Sequence, residues 1–220
     1  NGKEVTSSLT APKIAIIDVE TSAAKVYCFG RFNQNFSEDN IYEEGGLILV
    51  ACWRWLGSDE VHSVYMTPEE IKNRNDERLV LALMDVYEEA DAVVMHNAKK
   101  FDHKVIQTRA LFWLNCMLPV VKVIDTLQIA KSKLRLPSNR LDSIGEYFGL
   151  GRKTKTEGIR LWAKVQEGNT LSMQDMVTYC KQDVNLLYEV YLRLRTLGTS
   201  GTMFNASHYL EDNEVHCKVC

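Results

Sequence analysis

The sequence predicts an α/β protein with a mixed central sheet, in which three antiparallel strands are extended by parallel ones. Short apolar, β-branched segments dominate the first half of the chain, and helical periodicity dominates the second half. A strand–helix–strand unit lies between the two halves, and such a unit adds parallel strands to a sheet. The 220 residues are enough for one well-packed core with helices on the sheet.

The first strands are predicted from apolar runs separated by polar turns. Residues 13–19 form a β-branched run typical of a buried strand, and the irregular polar stretch of residues 22–46 follows, with a short strand predicted at residues 26–29. Residues 47–56 and 61–66 flank a polar turn, which predicts a hairpin.

Helices begin after this hairpin. Thr67 and Pro68 form a helix-start pattern, and Asp76 is predicted to cap a second helix that ends near Glu89. The other predicted strands are residues 90–95 and 120–125, and the other predicted helices are residues 102–113, 126–133, 141–148, 156–165 and 172–197.

These segments predict one domain over residues 13–197, with a flexible lead-in at residues 1–12 and a tail at residues 198–220. The hydrophobic fraction of 45% and the charged fraction of 25% are ordinary for a globular protein. Because no apolar run approaches about 18 residues, we expect no membrane-spanning segment. The first residues also lack the features of a signal peptide.

The first strand ends in a pair of acids, Asp18 and Glu20. Side chains two residues apart in a strand point to the same face, so both carboxylates can converge on one cation while Val19 faces the core. Alternatively, the strand simply runs out into a polar loop.

Two further clusters carry acids at the ends or faces of predicted helices. Asp102 closes the run His96-Asn97-Ala98-Lys99-Lys100-Phe101-Asp102 and lies at a helix N-terminus, where it can serve a site or only cap the helix. Tyr179 and Asp183 lie one helical turn apart on one face. They can instead be a half-buried aromatic and a solvated acid.

Together the clusters suit a site for two Mg²⁺ or Mn²⁺ ions, because these ions prefer carboxylate oxygens and need few protein ligands. Two such ions can clamp an in-line phosphoryl displacement. The formal charge of −3 argues only weakly against a nucleic-acid partner. Two bound divalent ions would bring that charge to +1.

In order and separation, these clusters resemble the DEDD superfamily of 3′→5′ exonucleases, which has an RNase H-like fold and includes polymerase proofreading domains. Position 178 is Thr, whereas Tyr179 precedes Asp183 by four residues, so the chain resembles the tyrosine (DEDDy) branch. The three motifs are matched by Asp18, Glu20 and Thr21, by His96, Asn97, Phe101 and Asp102, and by Tyr179 and Asp183.

The resemblance implies a role for each acid. Asp18, Glu20 and Asp183 would hold the ion that activates water, and Asp18 with Asp102 would hold the ion at the leaving group. Tyr179 would position the attacking water by a hydrogen bond. The expected reaction removes nucleoside monophosphates from a free 3′ end, with single-stranded DNA favoured and RNA also open.

Substrate contacts are expected near the same motifs. Thr21, Asn97 and Phe101 are candidate neighbours of the terminal nucleotide, although Phe101 can equally belong to the core. Basic side chains in nearby charged segments can contact phosphates or merely be solvated: Lys99, Lys100, Lys104, Arg152, Lys153 and Lys155.

The six cysteines divide into two groups. Cys28, Cys52, Cys116 and Cys180 are widely spaced and form no disulfide framework, which favours a reducing, cytoplasmic compartment. The tail carries Cys217 and Cys220 at the spacing of half a structural zinc site, and a disordered tail is the alternative.

Two other functions stay open from the sequence. The domain could be a proofreading module that works beside a polymerase or another replication or repair partner. It could also be a catalytically silent RNase H-like domain that only binds nucleic acid.

Overall fold

The computed structural model of the protein describes residues 12–30, 32–151 and 156–197. Its central sheet contains β1 (Ile14–Thr21), β4 (Ile48–Trp55), β5 (Val61–Tyr65), β6 (Ala92–Met95) and β7 (Lys122–Asp125), in the order β5-β4-β1-β6-β7. Most of the predicted lead-in, the whole tail with Cys217 and Cys220, and the basic residues 152, 153 and 155 lie outside the described residues.

The strand pairing confirms the predicted mixed sheet. Strand β4 pairs antiparallel with both β1 and β5, and β6 pairs parallel with both β1 and β7. Strand β1 is therefore central, with an antiparallel neighbour on one side and a parallel neighbour on the other. Its apolar residues from Ile14 to Ile17 are completely or almost completely buried, as a β-branched run at the centre of a sheet requires.

Helices flank this sheet. The described residues form α1 (Pro68–Asn73), α2 (Glu77–Glu89), α3 (Asp102–Leu114), α4 (Thr126–Lys133), α5 (Leu141–Tyr147), α6 (Ile159–Gln166) and α7 (Thr170–Leu194). Helix α7 packs against β1, β4 and β5 and also contacts α4, α5 and α6. Helix α2 packs against β4, β5 and α3.

Most helix starts agree with the sequence in position, although α6 begins at Ile159 and not at residue 156, and α7 begins at Thr170 and not at residue 172. The predicted N-cap positions are occupied, but only one of the two side chains makes a capping bond. Thr67 accepts a hydrogen bond from the backbone of Glu70 and forms a capping box with it, as the helix-start pattern predicts. Asp76 occupies the N-cap position of α2, yet its side chain makes no capping bond. Its carboxylate instead accepts bonds from Arg109, Trp113 and the backbone N–H of Ile48.

The irregular stretch after β1 forms a separate two-stranded sheet. Strand β2 (Lys25–Val26) is shorter than the strand predicted at residues 26–29, and it pairs antiparallel with β3 (Ile41–Glu43). Residues 22–46 therefore leave the central sheet at the end of β1 and return to it at the start of β4.

Candidate metal and nucleic-acid site

Asp18 and Glu20 occupy the last part of β1, at an irregular point of the sheet. Val19 between them is buried, and the two acids are partly exposed, as strand alternation predicts. The register between β1 and β4 shifts between Glu20 and Thr21. Such irregularities redirect side chains and are common beside functional sites.

Helix α7 brings the third carboxylate to the same place. Asp183 is buried on the face of α7 that packs against the sheet. Carboxylate oxygens of Asp18, Glu20 and Asp183 all lie within 4.8 Å of one another. The two elements therefore meet as the sequence predicts for these three acids.

Three carboxylates this close are suited to a divalent cation. Like charges at such separations disfavour one another unless a cation or protons are shared among them. Hard carboxylate oxygens from two separate elements form the donor set that Mg²⁺ and Mn²⁺ prefer. These residues therefore fit the ion that the sequence predicts.

Asp102 is the fourth acid of the predicted site. It is the first residue of α3 and is buried, but it is not among the residues whose oxygens meet within 4.8 Å. Its charge acts on Tyr87: burial, and then the Asp102 carboxylate, raise the pKa of the Tyr87 hydroxyl. That hydroxyl lies 2.9 Å from Nδ1 of His103, and burial lowers the pKa of the His103 imidazole.

Tyr179 lies one turn before Asp183 on α7, and a tryptophan holds it. The rings of Trp162 and Tyr179 meet edge to face, with centroids 6.2 Å apart. Trp162 also donates from its indole Nε1 to the backbone oxygen of Thr21, at 3.1 Å. Sequence reasoning missed Trp162, because only the packing of α6 on α7 reveals its proximity to both motifs.

Two buried thiols lie behind Asp18. Cys52 is the partner of Asp18 across the β1–β4 pairing, and Cys180 directly follows Tyr179 on α7. The Cys180 Sγ lies 3.5 Å from the backbone oxygen of Asp18 and 3.6 Å from its Oδ2. Burial is the largest cause that raises the pKa of the Cys180 thiol, which is therefore a neutral, weak donor to Asp18.

The loop after β6 is held by a carboxylate that sequence reasoning did not assign to the site. Asp125 is buried and accepts from the backbone N–H groups of Asn97 and Lys99, and it also caps the start of α4. Asn97 adopts a left-handed conformation, with φ 76°, which Asn tolerates better than most residues. An acid between an apolar strand and a helix is the sequence pattern that could have revealed this role.

His96 and Phe101 differ in their surroundings. The His96 ring lies 2.9 Å from the Thr126 hydroxyl, and its Nε2 donates to the backbone oxygen of Asn139 at 3.0 Å, so it links the ends of two strands to the start of α5. The Phe101 side chain is exposed and is not part of the core. Lys99, Lys100 and Lys104 are exposed as well.

A cleft of about 530 Å³ lies beside the carboxyl end of β6. Its lining includes the positive side chains of Lys131 and Arg140 and the polar side chain of Asn97. The buried Oδ1 of Asn139, another lining residue, has no hydrogen-bond partner. A smaller cavity of about 240 Å³ is lined by Tyr179 and by other residues of α6 and α7.

The fold is that of the RNase H class of proteins, and a comparison of sequences agrees with this class. The RNase H superfamily model RNase_H_2 matches residues 38–195, and the chain belongs to that superfamily. No curated protein matches the chain.

A solved structure shares the fold. The family B DNA polymerase from the hyperthermophilic archaeon Pyrobaculum calidifontis aligns with a TM-score of 0.61 and 13% sequence identity. The alignment covers 84% of this chain and 25% of the polymerase chain, so this chain spans about a quarter of the polymerase's length. None of the helices in the described ranges is long and apolar enough to cross a bilayer.

Proposed function

We propose that the protein is a metal-dependent 3′→5′ exonuclease of the tyrosine branch of the DEDD superfamily. The observation that carries this proposal is the convergence of Asp18, Glu20 and Asp183, from a central strand and a long helix, within 4.8 Å. Membership of the RNase H superfamily supports a nuclease-type activity. The substrate would be nucleic acid with a free 3′ end, with single-stranded DNA favoured.

The acids and the tyrosine divide the chemistry between them. Asp18, Glu20 and Asp183 would hold the divalent ion, and Asp102 would contribute from the start of α3. When bound, divalent ions acidify water and stabilise the charge on the leaving oxygen. Tyr179 would orient the attacking water by a hydrogen bond. The water oxygen joins phosphorus, the bond from phosphorus to the 3′ oxygen breaks, and a nucleoside 5′-monophosphate leaves.

The cleft beside β6 would hold the strand that approaches the acids. Lys131 places a positive charge along it, which suits a phosphate group, and Arg140 adds a second one that is paired with Asp142 at 3.4 Å. Asn97 offers a polar side chain in the same cleft. The exposed ring of Phe101 is available to stack on a base.

A second candidate function is a proofreading module within a polymerase assembly. The likeness of fold to a family B DNA polymerase favours it. A stable complex with a polymerase, together with activity that rises on mispaired 3′ ends, would support this candidate over a free-standing enzyme.

The test uses 5′-labelled single-stranded DNA and RNA with Mg²⁺ or Mn²⁺. We expect a ladder that shortens from the 3′ end and disappears with EDTA. Asp18→Ala removes one ligand of the acidic group, and we expect it to lower the rate by at least about a thousandfold, since metal ligands support most of such catalysis. The preferred sugar follows from the relative rates on the two polymers.

A matched control is Asp59→Ala, which removes an exposed acid whose contact in the structure is with Arg54. It should leave the rate within about twofold of the wild type, because surface pairs contribute little. No cleavage of either polymer, or cleavage that is insensitive to Asp18→Ala, would contradict the proposed function and leave the binding domain as the alternative.

A further inference from the structure

The described residues 22–30 and 32–46 follow the end of β1 and are called the aromatic ribbon here. It comprises β2, β3 and the segment between them. Its aromatic side chains are all more than half exposed: Tyr27, Phe29, Phe32, Phe36 and Tyr42. Exposed aromatic groups at this density mark an interaction surface.

The base of the aromatic ribbon is firmly closed. The backbone N–H of Ser22 donates to the backbone oxygen of Leu47 at 2.8 Å. In return, the backbone N–H of Leu47 donates to the hydroxyl oxygen of Ser22 at 3.0 Å. A Cβ atom at Gly45 would lie 2.7 Å from the backbone oxygen of Ser22, so glycine permits the close approach of the two chains. Gln166 on α6 donates to and accepts from the backbone of Ala23 at 3.0 and 2.9 Å.

The two strands are also fixed to each other. The backbone N–H of Tyr27 donates to the oxygen of Asn40 at 2.9 Å, and the rings of Tyr27 and Tyr42 lie with centroids 4.6 Å apart. Lys25 pairs with Glu43 at 3.0 Å. These contacts fix the two strands from which the segment with Phe29, Phe32 and Phe36 extends.

The chemistry of this surface is aromatic, not generally apolar. Every large exposed apolar side chain described in the aromatic ribbon is Phe or Tyr, whereas elsewhere such side chains are mostly Leu, Ile, Val or Met. Flat rings accept the faces of nucleobases, and such stacking tolerates any base sequence.

The position of the aromatic ribbon ties it to the acids. It begins at Ser22, two residues after Glu20, and Trp162 holds the intervening Thr21 through its backbone oxygen. Tyr27 follows Glu20 by seven residues, so its Cα lies at most about 25 Å from that of Glu20. A polymer that ends at the acids is therefore within reach of Tyr27, where the segment that carries the other rings begins.

Charge separates this surface from the basic cleft. Glu38, Asp39 and Glu44 are acidic and exposed, and Lys25 and Arg74 are engaged by Glu43. Among the described residues of the aromatic ribbon, phosphate pairing therefore contributes little, and the attraction comes from the rings. A contact of this kind depends weakly on salt, in contrast to binding by lysines and arginines.

We propose that the aromatic ribbon binds single-stranded nucleic acid upstream of the 3′ end by stacking bases on Phe29, Phe32 and Phe36. This inference rests on the proposed exonuclease function, because that function supplies the polymer. The ribbon would extend the bound length beyond the cleft without selecting a sequence.

The experiment measures fluorescence anisotropy with labelled single-stranded oligomers from about 4 to about 16 nucleotides, the range of known single-strand sites. Both proteins carry Asp18→Ala to prevent degradation, and one also carries Phe29→Ala, Phe32→Ala and Phe36→Ala. We expect the affinity loss to grow with oligomer length and to reach at least about tenfold, since each lost stack costs about that much. The slope of log affinity against log salt should stay the same.

The matched control replaces exposed apolar side chains elsewhere, as Leu81→Ala, Phe112→Ala and Leu171→Ala. It should bind every oligomer as the parent does. Equal melting temperatures of the ribbon variant and the parent protein would show that the variant is folded. If the triple variant does not fold, the same binding experiment is made with Phe29→Ala alone.

Unchanged affinity for the longest oligomer would overturn the inference and leave a protein partner as the occupant. Failure of the ribbon and failure of the exonuclease proposal are separable. If the protein degrades DNA but the ribbon variant binds every oligomer normally, only the proposal for the ribbon is contradicted. If binding depends on the ribbon but the protein cleaves no nucleic acid, only the exonuclease proposal is contradicted.

Discussion

Two carboxylate regions in this molecule have opposite surroundings. Asp76 is completely buried, and Arg109 approaches it at 2.9 Å, Trp113 at 2.6 Å and the backbone N–H of Ile48 at 2.8 Å. The protein itself thus supplies the counter-charge and the donors. In the other region, three carboxylates converge within 4.8 Å. The difference teaches that buried acids with an internal cation serve the fold, whereas converging acids suit a cation from solution.

The largest effect is expected at Asp76. Asp76→Asn removes the negative charge and leaves the guanidinium of Arg109, whose side chain is only 15% exposed, without its counter-ion. Breaking a buried pair in this way costs about 3–5 kcal/mol. Urea denaturation should therefore show a free energy of unfolding lower by about that amount.

The acidic group should behave differently under the same change. Asp18→Asn removes one of three like charges, so the free energy of unfolding without divalent ions should stay within about 0.5 kcal/mol of the wild type or rise. A large loss of stability in Asp18→Asn, equal to that of Asp76→Asn, would erase the distinction between the two regions.

The next effect is the response to a divalent ion. Mn²⁺ at about one hundred times its dissociation constant should stabilise the wild type by about 2.7 kcal/mol, because it binds the folded state alone. Calorimetric melting of wild type, Asp18→Asn and Asp76→Asn with and without Mn²⁺ measures this. Only Asp18→Asn should lose the shift. A shift that survives Asp18→Asn would place the ion elsewhere.

The same comparison shows what the sequence could and could not predict. Asp18 and Glu20 were predictable, because strand alternation places both on one face of a buried β-branched run. Tyr179 and Asp183 were predictable from helical spacing. Each of these predictions needed only neighbours in the chain.

The role of Asp76 was not predictable, because its partners Arg109 and Trp113 come from another helix. The local sequence pattern predicts a side-chain cap at Asp76, but the carboxylate bonds to residues that are distant in sequence instead. Trp162 and Cys180 were missed for the same reason, since their contacts with Thr21 and Asp18 span more than 140 residues. The parallel extension of the sheet was predictable, but the pairing of β2 with β3 was not.

A smaller effect is expected at Tyr179. Tyr179→Phe keeps the ring against Trp162 and removes only the hydroxyl that would orient water. Loss of one hydrogen bond of this kind lowers the turnover rate about tenfold. Steady-state kinetics with Mn²⁺ should show that decrease in kcat, with the Mn²⁺ dependence unchanged. An equal decrease in the affinity for Mn²⁺ would instead assign Tyr179 to the support of the acidic group.

The smallest effect concerns Glu70, a protein-paired carboxylate at the surface. Its hydrogen bonds with Arg78, at 2.8 and 2.9 Å, are the largest cause that lowers its pKa from 4.5 to about 2. A lowered pKa means that the stabilisation is fully present above about pH 4.5 and is lost as the pH falls through about 2. Because the pair is near solvent, Glu70→Gln should cost only about 0.5–1 kcal/mol near neutral pH.

The measurement at Glu70 is the difference in unfolding free energy between wild type and Glu70→Gln, followed by urea denaturation as the pH is lowered. The difference should shrink steadily below about pH 4.5, because both side chains become neutral. A difference that persists at the lowest pH would contradict the assignment to charge, because protonated Glu and Gln can both accept the bond from the backbone N–H of Thr67. The Arg78 pair would then contribute nothing measurable, and Asp76 would remain the carboxylate whose internal cation supports the fold.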